Sequence, residues 1–204
     1  MSLTPEALLA WMESRRSIRS FDDRPVTRPL LDRILQTACA APSAHNAQPW
    51  RFVVVSAGEE RRRLADRMAV EFCRDLRADG WSDAEVGERV GRTVERLLRA
   101  PVAVILCSTF DGTDRYPDER RKQAERTMTL QSVSLAGGQL LLAAHAEGLG
   151  ACWMCGPLFA PRAVREALRL PDDWEPQALI VLGWPAEEPA PRERRPLNDT
   201  VIWR

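Results

Sequence analysis

Three arginines and a serine stand close together near the start of the chain, in the segment Arg15-Arg16-Ser17-Ile18-Arg19. Guanidinium groups form short, charge-assisted and often bidentate hydrogen bonds to phosphate oxygens, so this spacing favours a phosphate clamp. The alternative is a solvated basic turn, because exposed charges often contribute little. The spacing alone leaves both interpretations open.

A second polar segment, Pro42 to Pro49 (PSAHNAQP), is dense in amide and hydroxyl groups. Prolines and Asn46 are typical turn residues, so the segment predicts a loop. Its donors either shape that loop or bind a ligand.

The segment Cys152-Trp153-Met154-Cys155 has the C-x-x-C spacing of thiol redox pairs. Such a pair normally lies where a helix begins, whereas here a predicted strand, Leu149 to Met154, leads into Gly156 and Pro157. A thiol function is therefore the weaker interpretation. A metal site is less favoured still, because the other cysteines and the two histidines lack ligand spacing to the pair (Cys39, Cys73, Cys107, His45 and His145).

These segments need a scaffold, and the hydrophobic pattern predicts its central helix. From Ala124 to Ala146 apolar residues fall on nearly every side of a helical period, which predicts a helix covered all round. Gly137 and Gly138 each cost about 1 kcal/mol relative to alanine, so we expect another helix, from this chain or a second copy, to approach them closely. Gly148 is a typical helix terminator.

The other elements are predicted from caps, amphipathic periods and short apolar runs. We predict helices that begin at Thr4-Pro5 and Thr27, two arginine-rich helices in 59–99 with a break near 80–82, a helix over 161–168, and strands over 52–55, 102–107, 149–154 and 178–183. No repeat or linker divides the chain, so we predict a single α+β domain over 1–204. Its proline-rich tail, 185–204, ends on Val201-Ile202-Trp203, which predicts docking on a partner subunit.

The composition argues against several classes of protein. A chain of 204 residues that is 45% hydrophobic can bury a core without disulfides. Its net charge of zero argues against nucleic-acid and anionic-membrane binding. The longest apolar run of the central helix, Leu140 to Ala144, is far short of the roughly 20 residues that a membrane span needs. Five cysteines and no signal peptide at Met1 to Leu9 predict a cytoplasmic protein.

Taken together and in order, these segments resemble the flavin-dependent nitroreductase family. The resemblance covers nearly the whole chain and rests on RRSIRSF at 15–21, APSAHNAQPWRFVVV at 41–55, GLGACWMCG at 148–156 and a late arginine cluster before Pro196-Leu197. It implies a nitroreductase-like α/β sandwich with a central, mostly antiparallel sheet flanked by helices. It also implies an intertwined homodimer with one FMN at each end of the interface.

The resemblance further implies which residues surround FMN. Arg15, Arg16 and Ser17 would hold its phosphate and ribityl end, and Arg19 would lie near the pyrimidine edge of the ring. The loop residues that would reach the same FMN from the other subunit are Pro42, Ser43, Ala44 and Asn46, and Gln48 is counted with them as cofactor-binding. The segment that would pass near the reactive nitrogen of the ring is Met154, Cys155 and Gly156, and the arginines that would close on the phosphate are Arg192, Arg194 and Arg195.

The implied reaction is a two-step hydride transfer from NAD(P)H through FMN to a nitroaromatic, a quinone or a similar conjugated small molecule. A flavin supplies the hydride chemistry and the protein supplies position and electrostatics, so no side chain is assigned as catalytic. A cationic Arg19 at the pyrimidine edge would stabilise the negative charge of the reduced ring.

Four further segments are similar to the C-terminal FMN domain of the bifunctional actinobacterial ligase that makes the hydroxy-deazaflavin coenzyme. They are DRMAVEFCRDLRADGWS, LLRAPVAVILCS, RYPDERRKQAERTMT and LRLPDDWEPQALIVLGWP. This likeness implies an alternative function, an FMN-dependent reductase acting on a dehydro precursor of that coenzyme. A non-catalytic flavin carrier, or a thiol sensor built on Cys152 and Cys155, is the third hypothesis.

Overall fold

The computed structural model describes residues 4–56 and 58–204, and a four-stranded sheet forms its centre. The strands are β1 (Trp50–Val55), β2 (Val102–Ser108), β3 (Gly150–Met154) and β4 (Glu175–Gly183). They lie in the order β1-β2-β4-β3, and every pair is antiparallel. The predicted α+β class and antiparallel sheet are confirmed, and all four predicted strands are present.

Strand β2 explains why helices cover both faces of this sheet. Its sequence, VAVILCS, carries no polar alternation, and all seven residues are buried. Side chains such as Ile105 pack in one core and side chains such as Val104 pack in the other. An uninterrupted apolar strand of this kind is typical of a sheet buried on both sides.

The helices form two layers around the sheet. On the Val104 face lie α2 (Arg28–Cys39) and α5 (Glu119–Ala146). On the Ile105 face lie α3 (Glu59–Ala78), α4 (Asp83–Arg99) and α7 (Pro161–Leu168). The remaining elements are α1 (Pro5–Ser14), α6 (Gly156–Phe159) and the 3-10 turns Ala44–Asn46 and Leu197–Asp199. The predicted helices are all present, and the structure contains one further helix, α6, that was not predicted.

Helix α5 differs from its prediction in two ways. It begins at Glu119 rather than near Ala124, because the Asp118 side chain caps it by accepting the Arg121 N–H. It is also not covered all round in a single chain, since Leu135 is 52% exposed and Gln131 and Ser134 are exposed beside it.

The two glycines of α5 have different surroundings. A Cβ on Gly137 would lie 2.2 Å from Trp153 Cζ3 and 2.8 Å from Leu106 Cδ2. The close neighbours are therefore side chains of β3 and β2, and the expectation of a second helix of this chain at Gly137 is wrong. Gly138 has no atom within 4 Å of such a Cβ and faces open space.

Further apolar surface is uncovered at both ends of the chain. Helix α1 has no buried residue, and Leu9 is 59% exposed. In the tail, Ile202 and Trp203 are 80% and 82% exposed. Several exposed apolar side chains on one short element favour a site of interaction. Within the described residues, no helix is long and apolar enough to cross a membrane.

Candidate functional site

The arginine segment 15–19 runs alongside β3. The Ile18 N–H donates to the Ala151 carbonyl at 3.0 Å, and Ser17 forms a parallel bridge with Ala151. A Cβ on Gly150 would lie 2.6 Å from the Cβ of Ile18, so only glycine allows the two segments to approach this closely. The structure thus places the first arginines beside the strand that leads to Met154, Cys155 and Gly156.

A cleft of about 970 Å³ opens at this junction. It is lined by Arg15 and Arg16, by Leu141 and His145 from α5, and by the tail segment 185–191. A volume of this size is within the range of small-molecule and cofactor sites.

The arginine side chains at the cleft lack acidic partners. Arg16 donates only to backbone carbonyls, those of Glu13 at 2.6 Å and Arg15 at 3.1 Å, and Arg19 donates to the Ser17 carbonyl at 3.3 Å. Across 4–56 and 58–204, no ion pair involves Arg15, Arg16 or Arg19. Their charge-assisted donors are therefore available to an anion.

The tail contributes an acid to the same junction. Glu187 Oε1 accepts the backbone N–H groups of Arg19 and Ser20, at 2.7 and 3.1 Å. Local sequence pattern does not indicate this contact, because it joins residues far apart in the chain. It fixes the tail against the arginine segment through backbone N–H groups, so the guanidinium groups of that segment form no contact with Glu187.

His145 anchors the end of α1 at the cleft. Its Nε2 lies 3.0 Å from Ser14 Oγ and 3.2 Å from the Trp11 carbonyl, and its ring stacks on Trp11 with centroids 4.9 Å apart. These contacts give His145 a structural role. They orient the backbone just before Arg15.

The loop with the sequence PSAHNAQP is held by hydroxyl groups and is conformationally strained. The Ala44 N–H donates to Ser132 Oγ at 3.3 Å, and the Gln48 N–H donates to Ser43 Oγ at 3.0 Å. His45, Asn46 and Gln48 all have positive φ, at 52°, 54° and 48°. Left-handed conformations are uncommon outside glycine and concentrate at functional sites.

A single chain does not bring this loop to the arginine cleft. The loop contacts α5 at Ser132, whereas the cleft is lined by His145. At 1.5 Å per residue these two positions are about 20 Å apart along the helix axis. The loop residues Pro42, Ser43, Ala44, Asn46 and Gln48 therefore belong to a different region of the chain from Arg15.

The residues after β3 form a tight junction. Cys155 is exposed, and its Sγ accepts the Trp153 indole N–H at 3.3 Å. The short helix α6 begins at Gly156, where a Cβ would lie 2.9 Å from Met68 Cε and 3.1 Å from Phe72 Cζ. Close packing against α3 thus explains the glycine that follows Cys155.

The two cysteines of the C-x-x-C segment have unlike environments. Cys152 lies within β3, and burial raises the pKa of its thiol, an effect that nearby Arg19, Arg96 and Arg15 only partly oppose. A buried thiol with a raised pKa is a poor nucleophile. The geometry therefore does not favour a thiol redox pair. In the described part of the chain, no three His, Cys, Asp or Glu side chains come together as metal ligands.

The late arginines are not placed at the cleft. Arg192, Arg194 and Arg195 are exposed, whereas the residues just before them, Pro189 to Pro191, line it. No hydrogen bond or ion pair of their side chains occurs within 4–56 and 58–204. Their closure on a phosphate stays a prediction.

Comparisons with known proteins agree on one family. The model of the nitroreductase family matches residues 12–184. The chain is 33% identical to a NADH dehydrogenase of Thermus thermophilus, with 93% of this chain and 92% of that protein covered. It is 34% identical to the 5,6-dimethylbenzimidazole synthase of Rhodospirillum rubrum, over 93% of this chain and 86% of that protein. A crystal structure of a nitroreductase-like protein from Desulfovibrio desulfuricans in complex with FMN is 26% identical, with a TM-score of 0.75 over 100% of this chain and 98% of that one.

Proposed function

The chain belongs to the nitroreductase family, and from that premise we propose that it is an FMN-dependent oxidoreductase that uses NAD(P)H as electron donor. The names of the relatives support the donor, and the Desulfovibrio complex supports the cofactor. The observation that carries the proposal is the set of arginines without acidic partners beside β3. When bound, FMN supplies the hydride chemistry.

The residues of the cleft fit such a cofactor. We propose that Arg15 and Arg16 hold its phosphate, because their guanidinium groups border a cleft of suitable volume and form no ion pair among the described residues. Ser17 and Arg19 follow on the segment that lies along β3. In this arrangement Met154, Cys155 and Gly156 border the ring, and the three late arginines become ordered on the phosphate.

We propose that the complete site needs two copies of the chain. The strained loop that contains Asn46 lies about 20 Å along α5 from the cleft, so it cannot contribute to the FMN site of its own chain. It can contribute to the site of a second copy. The exposed face of α5 around Leu135 and the exposed tail at Trp203 supply apolar surface for that contact.

The reaction order that we propose is ping-pong. NAD(P)H would give up a hydride and leave as NAD(P)+ before a nitroaromatic, quinone or similar conjugated acceptor binds at the same face. The protein's contribution is electrostatic and positional, because the positive charge of Arg19 would stabilise negative charge on the reduced flavin ring.

The first experiment is the visible spectrum of the purified protein, followed by release and identification of the chromophore. We expect a flavin band that corresponds to about one FMN per chain, bleached by NADH or NADPH under anaerobic conditions. Reoxidation by p-benzoquinone and by nitrofurazone would then test the acceptor class. A colourless protein that does not take up added FMN would contradict the proposal.

Replacing Arg15 and Arg16 together by alanine tests the phosphate clamp. Each charge-assisted hydrogen bond contributes about 1.5–3 kcal/mol, so we expect the affinity for FMN to fall at least tenfold. The ratio of flavin to protein absorbance and the quenching of FMN fluorescence measure this change. Arg28→Ala is the control, because Arg28 is an exposed arginine paired with Asp32. An unchanged flavin content in the double variant would contradict the assignment.

The deazaflavin-linked function remains our second proposal, supported by the four sequence segments similar to the ligase domain. Oxidation of the reduced enzyme by a deazaflavin precursor, at a higher kcat/KM than by quinones, would favour it. Because one relative is named a 5,6-dimethylbenzimidazole synthase, formation of 5,6-dimethylbenzimidazole should be assayed in parallel.

The thiol-sensor hypothesis makes a different prediction. Replacing Cys152 and Cys155 together by serine would abolish function and leave the flavin content unchanged.

A further inference from the structure

A second cleft, of about 870 Å³, lies at the opposite end of α5 from the arginine cleft. We call it the Glu125 cleft. One wall is the loop that carries Phe110 and Tyr116, and the other is the first half of α5, with Glu125 and Arg126. Glu125 is about 30 Å along the helix from His145, at 1.5 Å per residue. The two clefts are therefore separate within one chain.

Glu125 is a buried carboxylate without a hydrogen-bond partner. Its residue is 7% exposed, and its Oε2 has no partner among the described residues. The cations next to it along α5 are engaged elsewhere, since Arg126 forms a two-pronged pair with Glu175 at 2.7 and 3.2 Å and Lys122 pairs with Glu119 at 2.7 Å. A buried charge without a partner is strongly unfavourable, so its presence points to a missing donor.

Thr129 supplies a second unsatisfied group one helical turn further on. Three other hydroxyls of α5, those of Thr127, Ser132 and Ser134, donate to the carbonyl four residues back at 2.8 Å. Thr129 is 3% exposed, yet its Oγ1 bonds to no described residue. Positions four apart share one helix face, so Thr129 is a second unsatisfied polar group on the face of α5 that carries Glu125, outside the lining of the cleft.

The opposite wall is aromatic and fixed in place. The Thr109 hydroxyl donates to Asp173 at 2.8 Å, and the Thr113 hydroxyl donates to the Phe110 carbonyl at 2.9 Å. Arg126 lies over the Phe110 ring at 5.4 Å, and the Tyr116 hydroxyl bonds to Asp114 at 3.2 Å. Walls held by their own contacts are pre-organised for a ligand.

These features define the chemistry of an occupant. An ionised carboxylate only accepts hydrogen bonds, and a planar cation with two N–H groups satisfies both of its oxygens. The aromatic side chains of the wall favour a planar body, whereas their ring faces already carry the guanidinium groups of Arg126 and Arg121. A metal ion does not fit, since the described acidic residues here do not form a ligand group. We propose that the Glu125 cleft binds a small aromatic molecule bearing an amidinium or similar planar N–H cation, which donates to Glu125.

Isothermal titration of the FMN-loaded protein with benzamidine tests this site. We expect one saturable site per chain, and at least tenfold weaker binding of the anionic analogue benzoate. Glu125→Gln keeps the side-chain shape but removes the charge, so we expect the affinity for benzamidine to fall at least tenfold. Glu88→Gln is the control, because Glu88 is exposed on α4 and does not line the cleft, and the affinity of this variant for benzamidine should stay within twofold.

Two further measurements test the site, the binding of benzamidine to Tyr116→Ala and the Tm of Glu125→Gln. Tyr116→Ala removes part of the aromatic wall and should weaken benzamidine binding without altering flavin content. Glu125→Gln should raise Tm in the absence of ligand, because it removes the isolated charge. The proposal is overturned by an absence of benzamidine binding or by an equal affinity for benzamidine in Glu125→Gln.

Discussion

Arg61 places a guanidinium group in the protein core, where it is only 1% exposed. It donates to the carbonyls of Val55 at 2.7 Å and Pro101 at 2.9 Å and to that of Ala100, so it joins the end of β1 to the start of β2. Burial lowers the pKa of this guanidinium. A single buried side chain thus links two strands that are separated along the chain by α3 and α4.

Replacing Arg61 by methionine should destabilise the fold by about 3 kcal/mol, since three buried carbonyls lose their donor. Urea unfolding measures the change. The neighbouring Arg62 is exposed, so Arg62→Met should stay within about 0.5 kcal/mol of the unmodified chain. Equal stabilities of the two variants would contradict the structural role of Arg61.

The cysteines should differ sharply in reactivity. Burial raises the pKa of Cys107 to about 12, whereas Cys39 and Cys155 are exposed. Because the thiolate is the reactive form, iodoacetamide at pH 8 should label the two exposed cysteines and leave Cys107 and Cys152 unmodified. Peptide mass spectrometry measures the labelling, with the urea-unfolded protein as control. Labelling of Cys107 in the folded protein as fast as Cys155 would contradict the prediction.

The raised pKa of Cys107 also has a defined effect on stability. The folded state holds this proton more tightly than the unfolded state, whose thiol has the ordinary value of 9.0. The contribution to stability is therefore complete below pH 9 and is lost as pH rises from about 9 to 12.

At the scale of the element, helix α5 organises the molecule. Its buried face packs on the sheet through residues such as Leu140, and its two ends border the two clefts. Its two adjacent glycines differ in how closely they are packed: Gly137 lies against Trp153, whereas Gly138 faces open space within the chain.

The two glycines should therefore respond oppositely to alanine. Gly137→Ala forces a Cβ to within 2.2 Å of Trp153, and we expect a loss of about 2 kcal/mol from overpacking despite the better helix propensity. Within one chain the Cβ of Gly138→Ala meets no described neighbour, so this variant should stabilise the folded monomer by up to about 1 kcal/mol. Urea unfolding of both variants measures the difference, and the opposite order would contradict the packing.

At the scale of the whole molecule, uncovered apolar surface extends over α1, α5 and the tail. Leu9, Leu135 and Trp203 are 59%, 52% and 82% exposed. This surface and the distance between the loop containing Asn46 and the arginine cleft both favour an assembly of two chains.

Leu135→Arg tests that assembly. We expect the unmodified protein to behave as a dimer in light scattering after gel filtration, and the variant to behave as a monomer with reduced flavin content. Val70→Arg is the matched control, since Val70 is 65% exposed on α3, in the other helical layer. A monomeric unmodified protein that retains stoichiometric FMN would contradict the two-chain site.

The sequence by itself determined the elements and the family. The apolar run of β2 and the break before α4 depend on residues close together in the chain, so local pattern was enough to predict them. The ordered segments around Arg15, Asn46 and Cys155 were likewise enough to indicate the nitroreductase family.

Only the tertiary structure decided which of these residues meet. The burial of Arg61, the isolation of Glu125 and the contact of Glu187 with the arginine segment all depend on residues brought together by packing. In the sequence, Arg61 and Glu125 look like the solvated charges around them. Their roles come from what surrounds them in space, and spacing along the chain does not record those surroundings.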